Sequence, residues 1–162
     1  MFSVGDKVAH PLHGAGVIEQ IVTETVADST QDYYVFRLPV GGLELKIPTA
    51  TSELVGLRRI WGTAQTKQLL KDLPSLEMEL PTGSWNQRNR KMLDKLKSGD
   101  LYQVARIIKG LLHRDGEKGL SVMERKMLRT AKQILISEMV LSIDRDYREI
   151  EELIYGSISG GV

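Results

Sequence analysis

The hydrophobic pattern of this chain changes its period once, near residue 60. Before that point, short runs of β-branched and aromatic residues are separated by turn-forming Gly, Pro and Asp, as in β-strands. After it, apolar residues recur at spacings of three and four over long stretches, as in amphipathic helices. This order predicts an α+β protein in which a sheet is followed by a helical bundle, each with its own apolar face to bury.

The first part predicts five strands in a small barrel. Residues 28–31 supply turn formers, and residues 39–42 (Pro-Val-Gly-Gly) supply a hairpin connection. Glu44 and Lys46 alternate with apolar residues and therefore share one face of their strand. Five short strands are too few for a sandwich and are typical of a Tudor-like or SH3-like β-barrel. The predicted strands are residues 6–10, 17–26, 33–38, 43–48 and 53–57.

The second part predicts an all-α bundle whose helices begin at capping residues. Ser84 with Gln87, and Ser121 with Glu124, form capping boxes. In such a box each side chain satisfies an otherwise unpaired amide of the first helical turn. The predicted helix caps are Thr63, Ser84, Asp100, Ser121 and Asp144.

The domain boundaries follow from this change of period and from the Pro- and Gly-containing stretch after it. We expect a sheet domain over residues 1–60, a connector with one short helix over 61–83, and a helical domain over 84–162. The helix beginning at residue 101 is expected to end at His113, before a turn. The last three residues, Gly-Gly-Val, are expected to fray.

The charge of the chain is concentrated in its middle. The net charge is only +1, but residues 84–133 contain 13 Lys and Arg against 5 Asp and Glu, a net charge of +8. Residues 1–80 carry −3 and residues 134–162 carry −4. Because binding responds to local fields, the middle segment is the predicted contact with nucleic acid or another polyanion. No base-reading motif accompanies it, so phosphate contacts without strong sequence specificity are expected.

Trp85 stands at the start of this basic segment, in the predicted first turn of a helix. Its helical phase with Asn89, Met92 and Leu96 is that of a core residue, which favours burial. Its place beside a Gly- and Pro-containing connector and next to Arg88 favours exposure. An exposed aromatic beside cations is what proteins use to unstack a base step from the minor groove. Both possibilities are compatible with the pattern.

The cations that would accompany Trp85 on nucleic acid lie on two predicted helices. Arg125, Arg129 and Lys132 recur at i, i+4 and i+7 and therefore share one stripe of their helix. Arg106 and Lys109 lie on the polar side of the intervening helix. For all of these cations, solvation of the bundle surface is the alternative role. The candidate contacts are Arg88, Arg90, Lys91, Lys95, Arg125, Arg129 and Lys132.

Several function classes are disfavoured by composition. The chain has no cysteine, which excludes disulfides, thiolate metal sites and thiol nucleophiles. His10 and His13 lack a third ligand nearby in sequence, so we expect no metal and no other cofactor. The acids of residues 144–152 have no His or Ser partner, so we expect no enzyme. A signal peptide and a membrane-spanning run are not predicted, which favours a cytoplasmic, nucleoid-associated protein.

The beginning of the chain resembles a known interaction module. Residues 4–8 (Val-Gly-Asp-Lys-Val), 10–18 (His-Pro-Leu-His-Gly-Ala-Gly-Val-Ile) and 43–48 (Leu-Glu-Leu-Lys-Ile-Pro) are similar to the RNA polymerase interaction domain of the CarD/CdnL family. Transcription-repair coupling factors share this module. The resemblance implies a Tudor-like domain that docks on the β subunit of RNA polymerase.

The second half resembles the helical DNA-binding domain of the same family. The segments that carry this similarity are residues 84–88, 96–100, 114–121 and 131–135. The resemblance implies a bacterial transcription regulator that meets the upstream edge of the melted promoter and stabilises the open complex. By position, Trp85 would be the minor-groove wedge and Arg88 with its neighbouring cations would contact phosphates.

The resemblance also implies a polymerase-binding surface, with one departure. Lys46 falls where the family has a basic contact residue, and Glu44 lies beside it. Some members have a second basic contact residue on the preceding strand, where this chain has Glu24 and Thr25. A changed affinity or a changed partner surface is therefore expected.

Two other binding functions remain open. The first strands also resemble KOW-type modules, so an RNA- or ribosome-associated binding protein is the alternative, and an adaptor that binds only proteins is the third possibility. A monomer is expected, and exchange of domains between two chains remains possible.

Overall fold

The computed structural model describes residues 1–159 as an antiparallel sheet followed by helices, which confirms the predicted α+β class. The sheet order is β4-β3-β2-β1-β5, so it stays open, with β4 and β5 as its two edges, and does not close into the expected barrel. The predicted fraying of residues 160–162 lies outside the described residues. The strands are β1 (Lys7–His10), β2 (Gly14–Val26), β3 (Ser29–Arg37), β4 (Glu44–Pro48) and β5 (Arg58–Arg59).

The turn between β2 and β3 is tighter than the predicted one at residues 28–31. Val26 pairs directly with Ser29, which leaves a two-residue turn. Ala27 and Asp28 both have positive φ, 49° and 66°. Positive φ at both central residues matches the right-handed twist of paired strands, so Ser29 and its successors belong to the strand.

The predicted strand at residues 53–57 is wrong. Ser52–Val55 forms a one-turn helix, α1, and the strand β5 follows it. Gly56 ends this helix in the left-handed conformation with φ 97°, and the Leu57 amide donates to the Ser52 carbonyl at 3.0 Å. Leu54, whose apolar character suggested a strand, is 88% exposed. The local turn thus satisfies the backbone of this segment better than sheet pairing.

Two of the predicted caps are displaced. The capping boxes at Ser84 and Ser121 are confirmed, and the Asp100 side chain accepts from the Tyr102 amide at 3.0 Å. Thr63, however, is the first helical residue of α2, and Asp144 ends α5 with a left-handed φ of 52°. The long helices are α2 (Thr63–Asp72), α3 (Trp85–Leu96), α4 (Leu101–Lys118), α5 (Val122–Ile143) and α6 (Tyr147–Ser159).

Helix α4 is longer than predicted, because it continues past His113 and through Gly116 to Lys118. The actual stop is Gly119, whose φ of 78° is left-handed. Glycine lowers helix stability but does not end a helix that tertiary packing supports.

The two parts have separate cores. Ile18, Tyr34 and Phe36 are buried between the sheet and its loops. The helical core includes Leu111 and Leu135, which are fully buried. It also takes in residues of the expected connector, namely Leu69, Leu73 and, partly buried, Leu80. Residues 61–83 therefore pack as part of the bundle.

The sheet and the bundle meet along α5, at a contact we call the seam. The Ser137 hydroxyl accepts a hydrogen bond from the Ala15 amide at 2.8 Å. The Glu138 carboxylate is buried and accepts two hydrogen bonds from Arg58, at 2.8 and 2.9 Å. The Lys7 ammonium donates to the Leu141 carbonyl at 3.1 Å. These polar contacts join strands β1, β2 and β5 to one helix.

His10 organises the turn between β1 and β2. Its Nδ1 accepts hydrogen bonds from the amides of Leu12 and His13, at 3.1 and 3.3 Å. Burial, and then the neighbouring His13 ring at a centroid distance of 4.6 Å, lowers the pKa of His10 to about 4. Within residues 1–159, no three His, Cys, Asp or Glu side chains are grouped so that they could hold a metal ion.

We predict opposite effects on stability for alanine at two glycines. A Cβ at Gly16 would overlap the Arg37 carbonyl and lie 2.8 Å from the Phe36 ring, so Gly16→Ala should lower the free energy of unfolding by about 1–3 kcal/mol. Gly116 in α4 has nothing within 4 Å of such a Cβ. Gly116→Ala should therefore raise the free energy of unfolding by about 0.5–1 kcal/mol. Urea denaturation measures both, and equal values for the two variants would contradict the packing at Gly16.

We also predict an acid-sensitive turn. Since the folded pKa of His10 lies below the ordinary value of 6.5, its contribution to stability is present above pH 6.5 and is lost as the pH falls toward about 4. The ring is partly exposed, so solvent screening should reduce the loss to about 1 kcal/mol. His10→Asn keeps an acceptor and should remove this pH dependence, whereas His113→Asn, on the exposed side of α4, should keep it. Urea titrations between pH 7 and pH 4.5 test this; an unchanged slope in His10→Asn would contradict it.

Candidate nucleic-acid and partner-binding surfaces

Trp85 projects from the first turn of α3. Its side chain is 54% exposed, although Met92 and Leu96 on the same stripe are buried at 4% and 1%. The stripe therefore runs from the core out into solvent. The Ser84 hydroxyl accepts from the Gln87 amide at 3.3 Å, and the Gln87 side chain accepts from the Ser84 amide at 3.0 Å. This capping box fixes the backbone from which the indole projects.

The start of α5 lies beside the start of α3. A shallow cavity of about 100 Å³ separates the two helix starts. Since α3 has no acid in its first turn, the positive end of its dipole is not neutralised there and favours anions. The cavity is lined by Leu80, Pro81, Trp85, Arg88, Asn89, Met92, Arg114, Ser121 and Glu124.

Glu124, Arg88 and Arg114 are the charged residues that line this cavity. Arg114 donates to the Glu124 carboxylate at 2.8 Å. Burial opposes ionisation of Glu124, but its hydrogen bonds to Ser121 and the nearby Arg114 and Arg88 outweigh burial, so the pKa of Glu124 lies below its ordinary value. The Nε of Arg88 is buried and has no hydrogen-bond partner within residues 1–159. Arg114 was absent from the predicted contacts, because no sequence pattern shows that α4 brings it to the start of α5.

The predicted cations of α3 differ in whether another group of the protein already pairs with them. Arg90 is exposed and has no ion pair among the described residues. Lys91 donates to the Thr82 carbonyl at 3.1 Å and so holds the segment before the helix. Lys95 is paired with Glu79. Of these three, Arg90 is thus the one with no partner within the described part of the chain.

The three cations of the predicted stripe on α5 have different surroundings. Arg125 is exposed toward solvent near the start of the helix. Arg129 borders a groove formed with the loop at residues 39–43. Lys132 is paired with Glu151 of α6 at 2.8 Å and lies 5.0 Å from the centre of the Tyr155 ring. Helical spacing is correct for the stripe but does not show what packs against it.

Lys109 has a structural role. Its ammonium group donates to three backbone carbonyls, those of Leu73, Pro74 and Leu76, at 3.2, 3.0 and 2.6 Å. Leu73 and Pro74 belong to the short 3-10 helix Leu73–Ser75 that follows α2, and Leu76 is the residue at its end. Lys109 therefore holds the segment that leads to Trp85 against the bundle.

The predicted partner-binding residues lie together on the outer face of β2, β3 and β4. Lys46 is paired with Glu24 across the sheet, and this hydrogen bond is the main cause that raises the pKa of Lys46 above its ordinary value. Arg37 bridges Glu19 and Glu44, at 2.7 Å to each. These three acids and two cations give the patch a charge of −1, and β4 leaves one edge of the sheet open.

Among the helices of residues 1–159, none is both long and apolar enough to span a bilayer.

Comparisons with known proteins match both parts of the chain. A model of the CarD-like/TRCF RID domain matches residues 2–61, and a model of the CarD C-terminal domain matches residues 68–155. The candidate transcription factor YdeB of Bacillus subtilis (strain 168) is 33% identical over 141 residues, which cover 86% of this chain and 90% of that protein. The two family models follow each other in the order of the sheet and the bundle. The chain therefore belongs to the CarD/CdnL family of transcription regulators.

Proposed function

We propose that this regulator binds the β subunit of RNA polymerase with its sheet domain and stabilises the open promoter complex with its helical domain. In this proposal Trp85 enters the minor groove at the upstream edge of the melted DNA. The exposure of Trp85 at a capped helix start is the observation that carries the proposal. A tryptophan this exposed contributes little to the core and is available to stack on a base step.

The charge around Trp85 supports contact with DNA backbone. Arg88 lines the same cavity as the indole, and Arg90 and Arg125 are exposed on the two helices that begin there. Arg129 is exposed on α5, and Lys91, Lys95 and Lys132 would contribute after exchanging a present partner for a phosphate. The ion pairs of Lys95 and Lys132 are partly exposed, and ion pairs near the surface contribute about 0–1 kcal/mol, so the exchange costs little.

The sheet supports a protein partner. Its outer face presents Lys46, Glu24 and Glu44, and the edge strand β4 has unpaired backbone groups on one side. Open edges of this kind accept an added strand from a partner. Residues 2–61 match the model of the CarD-like/TRCF RID domain, and this similarity supports RNA polymerase as that partner.

The mechanism is differential binding to two promoter states. A ligand shifts an equilibrium only by its preference for one state over the other. A wedge that occupies an unstacked step prefers the melted promoter, because reclosing the duplex would have to expel the indole. Unstacking a step costs a few kcal/mol, which is enough to change the lifetime of the open complex by more than tenfold.

We predict that Trp85→Ala shortens the lifetime of the open complex by about tenfold, a change of about 1.4 kcal/mol. Capture of the polymerase β subunit should stay within twofold of wild type, since the substitution is in the other domain. Trp85→Phe keeps an aromatic wedge and should retain most of the effect. Lifetimes are measured by competitor challenge of preformed polymerase–promoter complexes. Equal lifetimes for Trp85→Ala and wild type would exclude the wedge.

We predict that Lys46→Glu weakens capture by the isolated β subunit several-fold, because it places a third acid beside Glu24 and Glu44. The control is the exchanged pair Glu24→Lys with Lys46→Glu, which restores the ion pair but moves the cation from β4 to β2, two strands away. Continued weak capture by the exchanged pair would show that the partner contacts Lys46 itself, and restored capture would show that pairing alone matters. Full capture by Lys46→Glu would place the docking surface elsewhere.

A further inference from the structure

We propose that Arg58 and Glu138 are positioning residues, which set where Trp85 lies relative to the surface that holds the polymerase. The inference rests on the proposed function. In that function one domain is anchored on the polymerase and the other must reach a particular base step. The distance and angle between the two domains then decide whether the wedge meets its step.

The pair is built for a fixed orientation. The two terminal guanidinium nitrogens of Arg58 donate to Glu138, at 2.9 and 2.8 Å. The Trp61 amide donates to the same carboxylate at 2.8 Å. Glu138 is fully buried. A carboxylate without water must keep its donors, and the planar fork of Arg allows a narrow range of geometry. Rotation of the sheet against α5 would break these bonds and leave the buried carboxylate of Glu138 without its donors.

The backbones beside the pair approach too closely to slide. A Cβ added at Gly14 would lie 2.9 Å from the Gln133 carbonyl oxygen and closer still to the Ser137 hydroxyl. On the other side of the pair, the Ser142 hydroxyl donates to the Trp61 carbonyl at 2.9 Å, and Thr63 donates to the Ser142 carbonyl at 2.8 Å. The seam therefore holds one face of α5 over more than two turns.

Helix α5 carries this orientation to the wedge. Its start at Ser121 lines the cavity beside Trp85, and Glu138 lies in its second half. At 1.5 Å per residue the two positions are about 25 Å apart along the helix. A rotation of about 8° at the seam would therefore move the wedge by about 3.4 Å, the spacing of one base step.

The role is distinct from stability. Replacing a buried ion pair by apolar residues of similar volume is often neutral or stabilising, so we expect the double substitution to leave the protein folded. Apolar contact, however, is non-directional and leaves the angle less defined. The pair thus supplies orientation that an apolar seam would lack.

The test replaces the pair with apolar residues, as Arg58→Leu with Glu138→Leu in the full-length chain. The chain has no cysteine, so Glu53→Cys in the sheet domain and Asp115→Cys in α4 can carry spin labels that report the inter-domain distance. We expect a broader distance distribution and an open-complex lifetime at least fivefold shorter. Capture of the β subunit and affinity for forked DNA without polymerase should each stay within twofold.

The matched control removes an exposed ion pair elsewhere, as Arg145→Leu with Glu149→Leu, and should change neither distance nor lifetime. A second variant, Arg58→Lys, keeps a cation beside Glu138 but loses the planar fork of donors, and should broaden the distance distribution and shorten the lifetime. This variant tests the inference if the double variant does not fold.

The outcomes separate the two proposals. Wild-type lifetimes for a variant with a broadened or shifted distance would overturn the positioning role and leave the proposed function intact. An unchanged distance distribution in both seam variants would overturn it as well. If wild type and Trp85→Ala have equal lifetimes, the proposed function fails, and this inference fails with it.

Discussion

The buried carboxylate of Glu138 is the interaction on which the arrangement of the molecule depends. An ionised group without water is tolerated only when donors surround it, and here they come from β5 and from the residue that leads into α2. The sheet, the start of the bundle and the longest helix therefore converge on one side chain. The neighbouring Gly14, Ala15 and Ser137 bring the backbones of the sheet and α5 close together beside this side chain.

Basic and acidic segments that are separate along the sequence partly come together in the fold. The basic middle of the chain does not form one uniform surface, because Lys95 and Lys132 pair with Glu79 and Glu151 from outside the segment, and Arg114 pairs with Glu124 inside it. The acids that flank the basic segment in sequence are thus partly its partners in the fold. Arg90 and Arg125, which are exposed and have no ion pair within the described residues, lie at the end of the bundle where α3 and α5 begin, and Trp85 lies there.

Much of the fold follows from local signals, and the parts that do not follow depend on distant contacts. The strands β2 to β4 and the capping boxes at Ser84 and Ser121 were predictable, since alternation and capping are properties of neighbouring residues. The one-turn helix at Ser52–Val55 and the open sheet were not. For the site, the helical phase of Trp85 was correct, but its exposure depends on where α4 ends and α5 begins. The roles of Lys109 and Glu138 depend on carbonyls and donors from segments far away in sequence, which no spacing rule reveals.

The seam also has a consequence for how the chain folds. The contacts that close it join residues far apart in sequence: Ala15 and Ser137 are 122 positions apart, and Arg58 and Glu138 are 80 apart. Contacts of such separation form late, because a long loop must be ordered before they stabilise anything. During synthesis the sheet emerges first and must wait for α5 with Arg58 unpaired and the Gly14 turn uncovered. Completion of α5 is therefore the step that turns two loosely joined parts into one cooperative unit.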